Sequence, residues 1–206
     1  MIYAYKGMKP VVHSTAFVHP AATLIGHVTL GANVYIGPGA VLRGDWGRIQ
    51  CADGVNVQEN CVVHMFPGAT VTLAASAHIG HGAVVHGAQV GEGCLIGMNA
   101  VLMDDVEVGA ESIVGALSFL RANSVWPRRS LIVGNPAKQI GDVSDDLYNH
   151  KAEGTRLYQS LPHSIHTGDL EVCEPLREVP SHRHEVFPTF ETWPQRRARL
   201  ETERNG

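Results

Sequence analysis

The chain has 206 residues and a formal net charge of -4 from 20 acidic and 16 basic residues. That length suits one domain with a sizeable core plus a tail, and without a block of like charge it offers no landing surface for nucleic acid or an anionic membrane. No run of about 18 apolar residues is present to span a bilayer. The first ten residues lack the apolar core of a secretory signal, so a cytoplasmic location is expected. Cys51, Cys61, Cys94 and Cys173 show no CxxC spacing and are expected to be reduced and buried. The 22 glycines beside few aromatics point to a repeat.

In chain order, residues 1–11 read as an irregular lead-in. From Val12 an aliphatic residue returns every six positions, at Val18, Leu24, Leu30, Ile36 and Leu42, several followed by glycine. The phase blurs between about 47 and 78 and resumes at Ile79-Gly80. It shifts by one at Val85, then runs through Val90, Ile96, Leu102, Val108, Val114 and Leu120. This period fits neither a helix nor an alternating strand. It fits an all-β fold, a parallel β-helix of hexapeptides in which three units close one triangular coil. Residues 12–130 then hold six to seven coils, each burying its inward face only by stacking on its neighbours. Glycine and asparagine at the corners are expected to supply positive φ.

The pattern stops after Trp126-Pro127, which bounds a β-helix domain at 1–140. A C-terminal helix is expected over 141–162, with Ser144 as N-cap, Asp145 and Asp146 in the first turn and a Val143–Tyr148 staple. Its inward face should carry Leu147, His150, Gly154, Leu157, Tyr158 and Leu161, and it should end near Pro162. Residues 163–206 read as an extended tail. Within it, Glu174 to Val179 should lie against the body or a neighbouring chain, and Arg196-Arg197-Ala198-Arg199 should form a solvated face.

Three histidines, His64, His81 and His86, stand 17 and 5 residues apart. On a coil near 18 residues long, His64 and His81 should lie one above the other and His86 around the next corner. One prism cannot then bring all three to one ion, but copies packed face to face can. A triangular prism suits a closed homotrimer. Three neutral imidazoles with an open fourth position describe a catalytic zinc, which lowers the pKa of its water to about 7.

Arg43-Gly44-Asp45, Asn56-Val57-Gln58-Glu59-Asn60, His64 and the run from His78 to Gly87 resemble the gamma-class carbonic anhydrase-like hexapeptide-repeat family. Leu131 to Lys138 and Glu174 to Val179 are similar to its PaaY/CaiE branch. The resemblance spans roughly residues 10–160. It implies a left-handed β-helix trimer with Zn2+ (Fe2+ or Co2+ as alternatives) between subunits, held by His64 and His86 of one subunit and His81 of the next. It further implies that Gln58 orients the nucleophile, that Arg43 and Asp45 form an interface ion pair within or between chains, and that Tyr158 hangs over the site from an adjacent subunit. Glu59 replaces the family's more usual aspartate. The prototype anhydrases carry proton-shuttling glutamates between the first two ligands, whereas Met65 to Ala77 contains no carboxylate. The implied activity is therefore that of the branch, a zinc-dependent thioesterase acting on coenzyme A thioesters in phenylacetate degradation. Arg128, Arg129, Lys138 and Arg177 are candidates for the coenzyme's phosphates. The alternatives are carbonic anhydrase, hexapeptide-repeat acyl transfer and a non-catalytic role in a carnitine operon.

Overall fold

An aliphatic residue at every sixth position places one inward side chain on each of three short strands per turn. In the computed structural model, which describes residues 1–180 and 187–205, the chain winds accordingly as a left-handed parallel β-helix of about seven coils. The first face stacks Leu24, Leu42, Val63, Val85, Leu102 and Leu120 in register. The second stacks Leu30, Cys51, Leu73, Val90 and Val108. The third stacks Val18, Ile36, Val57, Ile79, Ile96, Val114 and Ile132. From Ile36 to Ile132 every member of that third ladder is fully buried. The strands Thr23–Leu30 and Val41–Cys51 run through a corner and join the first two faces into one sheet. The third face ends on the antiparallel strand Lys138–Asp142.

The aliphatic-glycine pairs have a different cause from the one their composition suggests. Gly97 has no positive φ; a Cβ there would lie 2.5 Å from the backbone nitrogen of Ala116 on the next coil. Glycine is needed for close approach, and positive φ falls two residues later, at Asn99 (φ 54°). The blurred phase between 47 and 78 is also physical. Six residues separate Leu24 from Leu30, but nine separate Leu42 from Cys51 and ten separate Val63 from Leu73. The next coil is one residue short, with five from Val85 to Val90. Every irregularity therefore sits at one corner, where the first face turns into the second. The other two corners keep their spacing, so the core ladder continues unbroken beside it.

Helix α1 (Asp145–His166) starts as expected, with the Ser144 hydroxyl accepting from the backbone N–H of Leu147 at 3.2 Å. It does not end at Pro162, which lies buried inside it. The buried positions are His150, Lys151, Thr155 and Pro162; Lys151 and Thr155 meet the prism at Ser76 and His78, and Tyr158 turns inward as expected. The outward row of the third face, which it covers, holds Tyr35, Asn56 and His78, so polar helix residues meet polar partners. Residues 163–206 are not extended throughout. A second helix, α2 (Trp193–Asn205), packs back on α1. Arg196 bonds Glu153 at 2.7 Å, Arg204 bonds Asp146 at 2.7 Å, and the Phe190 and Trp193 rings cover His150. Arg197 and Arg199 do face solvent and form i,i+4 pairs with Glu201 and Glu203. Glu174 to Val179 is exposed and irregular. Cys51, Cys61 and Cys94 are free and buried, as expected, whereas Cys173 is exposed.

Because the ladder is fully buried, Ile96→Ala leaves a cavity that the stacked coils cannot close. It is expected to lower unfolding free energy by about 3 kcal/mol in urea titrations.

Candidate functional site

The two long corners hold the first half of the site. The strands Val62–His64 and Val84–His86 are parallel neighbours whose register pairs His64 with His86, and their rings lie 5.4 Å apart. Sequence spacing had placed His81, not His86, over His64. The four residues added beyond Val63 lengthen that coil to 22, the His64–His86 interval. Each ring nitrogen facing the protein meets a carboxylate. His64 Nε2 donates to Asp45 Oδ1 at 3.1 Å, and His86 Nδ1 donates to Asp104 Oδ1 at 2.7 Å. Arg43 Nη1 donates to Asp45 Oδ2 at 2.9 Å within the same chain, and its Nη2 lies 3.4 Å from His64 Nδ1. The corner insertions add two aromatic walls, Trp46 against His64 (5.2 Å) and Phe66 edge-on to His86 (5.1 Å). Burial pushes the His64 pKa down and the Arg43 charge adds to that, against the opposing bond from Asp45. Asp45 is itself partly desolvated, yet the bonds from His64, its own backbone N–H and Arg43 hold its carboxyl below the usual range.

His81 stands at the opposite edge of the same face, in the turn that precedes Val84–His86. Its Nδ1 is 2.5 Å from Glu59 Oε2, and its Nε2 is 3.5 Å from the Tyr158 hydroxyl. Tyr158 thus reaches His81 of its own chain. Glu59 also accepts from the Tyr35 hydroxyl at 3.2 Å; burial and that carboxylate push the Tyr35 pKa up to about 12. A cleft of about 440 Å³ opens here, lined mainly by Tyr35, Leu157, Tyr158, Leu161 and Pro188, with His81 and Glu59 at its polar end. Among the described residues, no three His, Cys, Asp or Glu side chains converge within one chain.

Gln58 is buried beneath α1, its Nε2 3.0 Å from Asn56 Oδ1 and 2.6 Å from His78 Nε2. His78, read from the sequence as an ordinary histidine, is held neutral; burial, then the charge of Lys151, brings its pKa down to about 3. Arg128 and Arg129 each bond Glu111 at 2.6 Å, and Arg128 stays largely exposed. Trp46, Phe66, His78 and Asp104 were missed. Asp104 alone had a readable signal, since it follows His86 by one regular 18-residue coil.

The outward rows of the three faces differ. Thr29, Gln50, Thr72, Gln89 and Glu107 line the second, and α1 covers the third. The first presents Val41, Val62, Val84, Val101 and Phe119, and Val62 is 40% exposed.

The model of the family described as bacterial transferase hexapeptide (six repeats) matches residues 9–44 and 87–122. It leaves out the irregular coils between them. The carnitine operon protein CaiE of Escherichia coli is 44% identical over 194 residues, covering 94% of this chain and 98% of that one. A hexapeptide transferase family protein from Anaplasma phagocytophilum is 30% identical, with TM-score 0.76 over 79% of this chain and 96% of that one. A Bacillus cereus protein assigned as an acetyltransferase is 29% identical, with TM-score 0.79 over 81% and 96%.

Folding buries His78 uncharged, so the unfolded chain binds the extra proton between pH ~6.5 and about 3. This contribution to stability is fully present above the unfolded value and is lost as pH falls toward the folded one. Urea unfolding at pH 7 and pH 4.5 should show a smaller acid loss in His78→Phe than in the wild type.

Proposed function

The chain belongs to the bacterial hexapeptide-repeat transferase family, alongside CaiE, and from that premise we propose that it is a homotrimeric, metal-dependent hydrolase of acyl-CoA thioesters. The observation that carries this is the placement of His64 and His86 at one edge of the uncovered apolar face and His81 at the other. In a closed ring with that face toward the three-fold axis, one copy's His81 edge meets the next copy's His64–His86 edge. The apolar row is the kind of surface that such a contact buries.

The donor set fits a divalent ion, Zn2+ first and Fe2+ or Co2+ as alternatives. His81 and His86 each give Nδ1 to a carboxylate, the orienting bond that metal-ligating imidazoles make. His64 is driven toward its neutral form, which is the ligating one. A divalent ion held by His64, His86 and the neighbouring copy's His81 supplies Lewis acidity toward a carbonyl and toward water. Asp45, Asp104 and Glu59 fix the ring orientations, while Trp46 and Phe66 shed water from the pair. Gln58 is a neutral hydrogen-bonding group that orients the attacking water. The cleft beside His81 is apolar enough for an acyl group, with Tyr158 at its polar end. A thiolate departs with little protonation, which suits a segment where Phe66 stands in place of carboxylates. That feature disfavours carbonic anhydrase, whose turnover depends on exporting a proton.

Acyl transfer to an acceptor other than water is the second reading, favoured by the family model and the acetyltransferase assigned from Bacillus cereus. A non-catalytic accessory role in a carnitine operon predicts bound metal without turnover.

Metal-analysed wild type should release thiol from a panel of acyl-CoAs, and His81→Ala should reduce release to background while remaining trimeric by light scattering. Mixed trimers of His81→Ala and His86→Ala should regain activity, because one interface in such a trimer has all three ligands intact. Failure of complementation, or thiol release only with an added acceptor, would overturn the hydrolase reading. Asp104→Asn should weaken metal affinity by about tenfold.

A further inference from the structure

The face of α1 that meets the prism carries polar groups joined in a hydrogen-bonded chain. Thr155 Oγ1 gives its single proton to the carbonyl oxygen of Lys151 at 3.2 Å. Toward His78 Nδ1, 3.3 Å away, it can therefore only accept, so His78 carries its proton on Nδ1. The other ring nitrogen, Nε2, is then a bare acceptor 2.6 Å from Gln58 Nε2. The carboxamide nitrogen has two protons; one goes to His78 and the other to Asn56 Oδ1 at 3.0 Å. Both donors are spent inward. Among the described residues nothing donates to Gln58 Oε1, which is left to accept.

We infer that Thr155 and His78 form a positioning relay from α1 that locks the Gln58 carboxamide with its oxygen as the one group free for a water proton. This deepens the proposed function and rests on it. An unpositioned carboxamide presents its donors or its acceptor with similar ease; only the acceptor can draw a proton from an attacking water and aim the oxygen lone pair at a carbonyl. His78 suits this relay because its ring stays neutral across the working range. A protonated ring would have to donate at Nε2, turning the carboxamide over and directing its NH2 at the water. His78 and Thr155 touch neither substrate nor reacting atoms in this account and act through Gln58 alone. The docking of α1 thus becomes a condition for an oriented site, not only for stability.

Steady-state kinetics with an acyl-CoA that the wild type hydrolyses should separate this relay from a packing role. Gln58→Ala and His78→Phe should each lower kcat by about tenfold, with KM and bound metal per chain little changed. His78→Gln, whose Oε1 can replace the Nε2 acceptor, should recover most of the loss. Thr155→Val, of nearly the same shape, should give a loss intermediate between the wild type and His78→Phe. NMR of the full-length protein with isotope-labelled histidine gives a readout independent of turnover: the resonance absent from His78→Phe should show the Nδ1–H tautomer. The Nε2–H tautomer would overturn the relay whatever the kinetics show. So would a His78→Phe enzyme with wild-type kcat while Gln58→Ala is impaired. If no acyl-CoA is hydrolysed by the wild type, the functional reading fails by itself, and the tautomer still decides the direction of the chain.

Discussion

The coil-on-coil register of the inward aliphatic ladders is the constraint on which the rest of the molecule depends. Each hexad contributes one short strand with too few contacts to stand alone, so stability comes from repetition along the axis. The register permits variation only where it leaves the ladders in phase. Two faces and two corners keep a strict spacing of six, and the corner between the first and second faces takes all the added and missing residues. A solenoid with a single permissive corner therefore gathers one half of its candidate site there. Arg43, Asp45, Trp46, His64 and Phe66 all belong to the two enlarged turns, and His86 closes the shortened one.

The rigidity of the ladders also explains how small polar bonds can define a site. His64 and His86 are placed by strands whose inward neighbours, Val63 and Val85, are fully buried, so their backbones have little freedom. Asp45 and Asp104 need only choose the rotamer and tautomer. On the far edge of the face the support comes from α1, through Tyr158 on His81 and through the polar contacts under the helix. The two halves of the site are thus held by different means, one by the solenoid and one by a docked helix.

Much of the solenoid was legible in the sequence because a six-residue aliphatic period leaves few alternatives, and it survived down to individual residues from Leu24 to Leu120. The blur between 47 and 78 marked the site without revealing it. Spacing counted along the chain paired His64 with His81, and only register, which depends on the inserted residues, pairs it with His86. The burial pattern of α1 was illegible for a different reason. Apolar periodicity cannot find a face made by Lys151 and Thr155, because its partners on the prism are themselves polar. The helix Trp193–Asn205 escaped for a similar reason: its charged surface is organised by pairs such as Arg199–Glu203 and by Arg196–Glu153, not by an apolar stripe.

The strand Lys138–Asp142 has a meaning beyond closing the third face. A stack of identical parallel coils has no intrinsic length, and the exposed edge of its last coil is a template for the first coil of another molecule. By returning antiparallel along Ser130–Val133, this strand occupies the third face's share of that edge with a chain running the wrong way for further parallel addition. On that face a repeat that could add coil upon coil is thereby made finite.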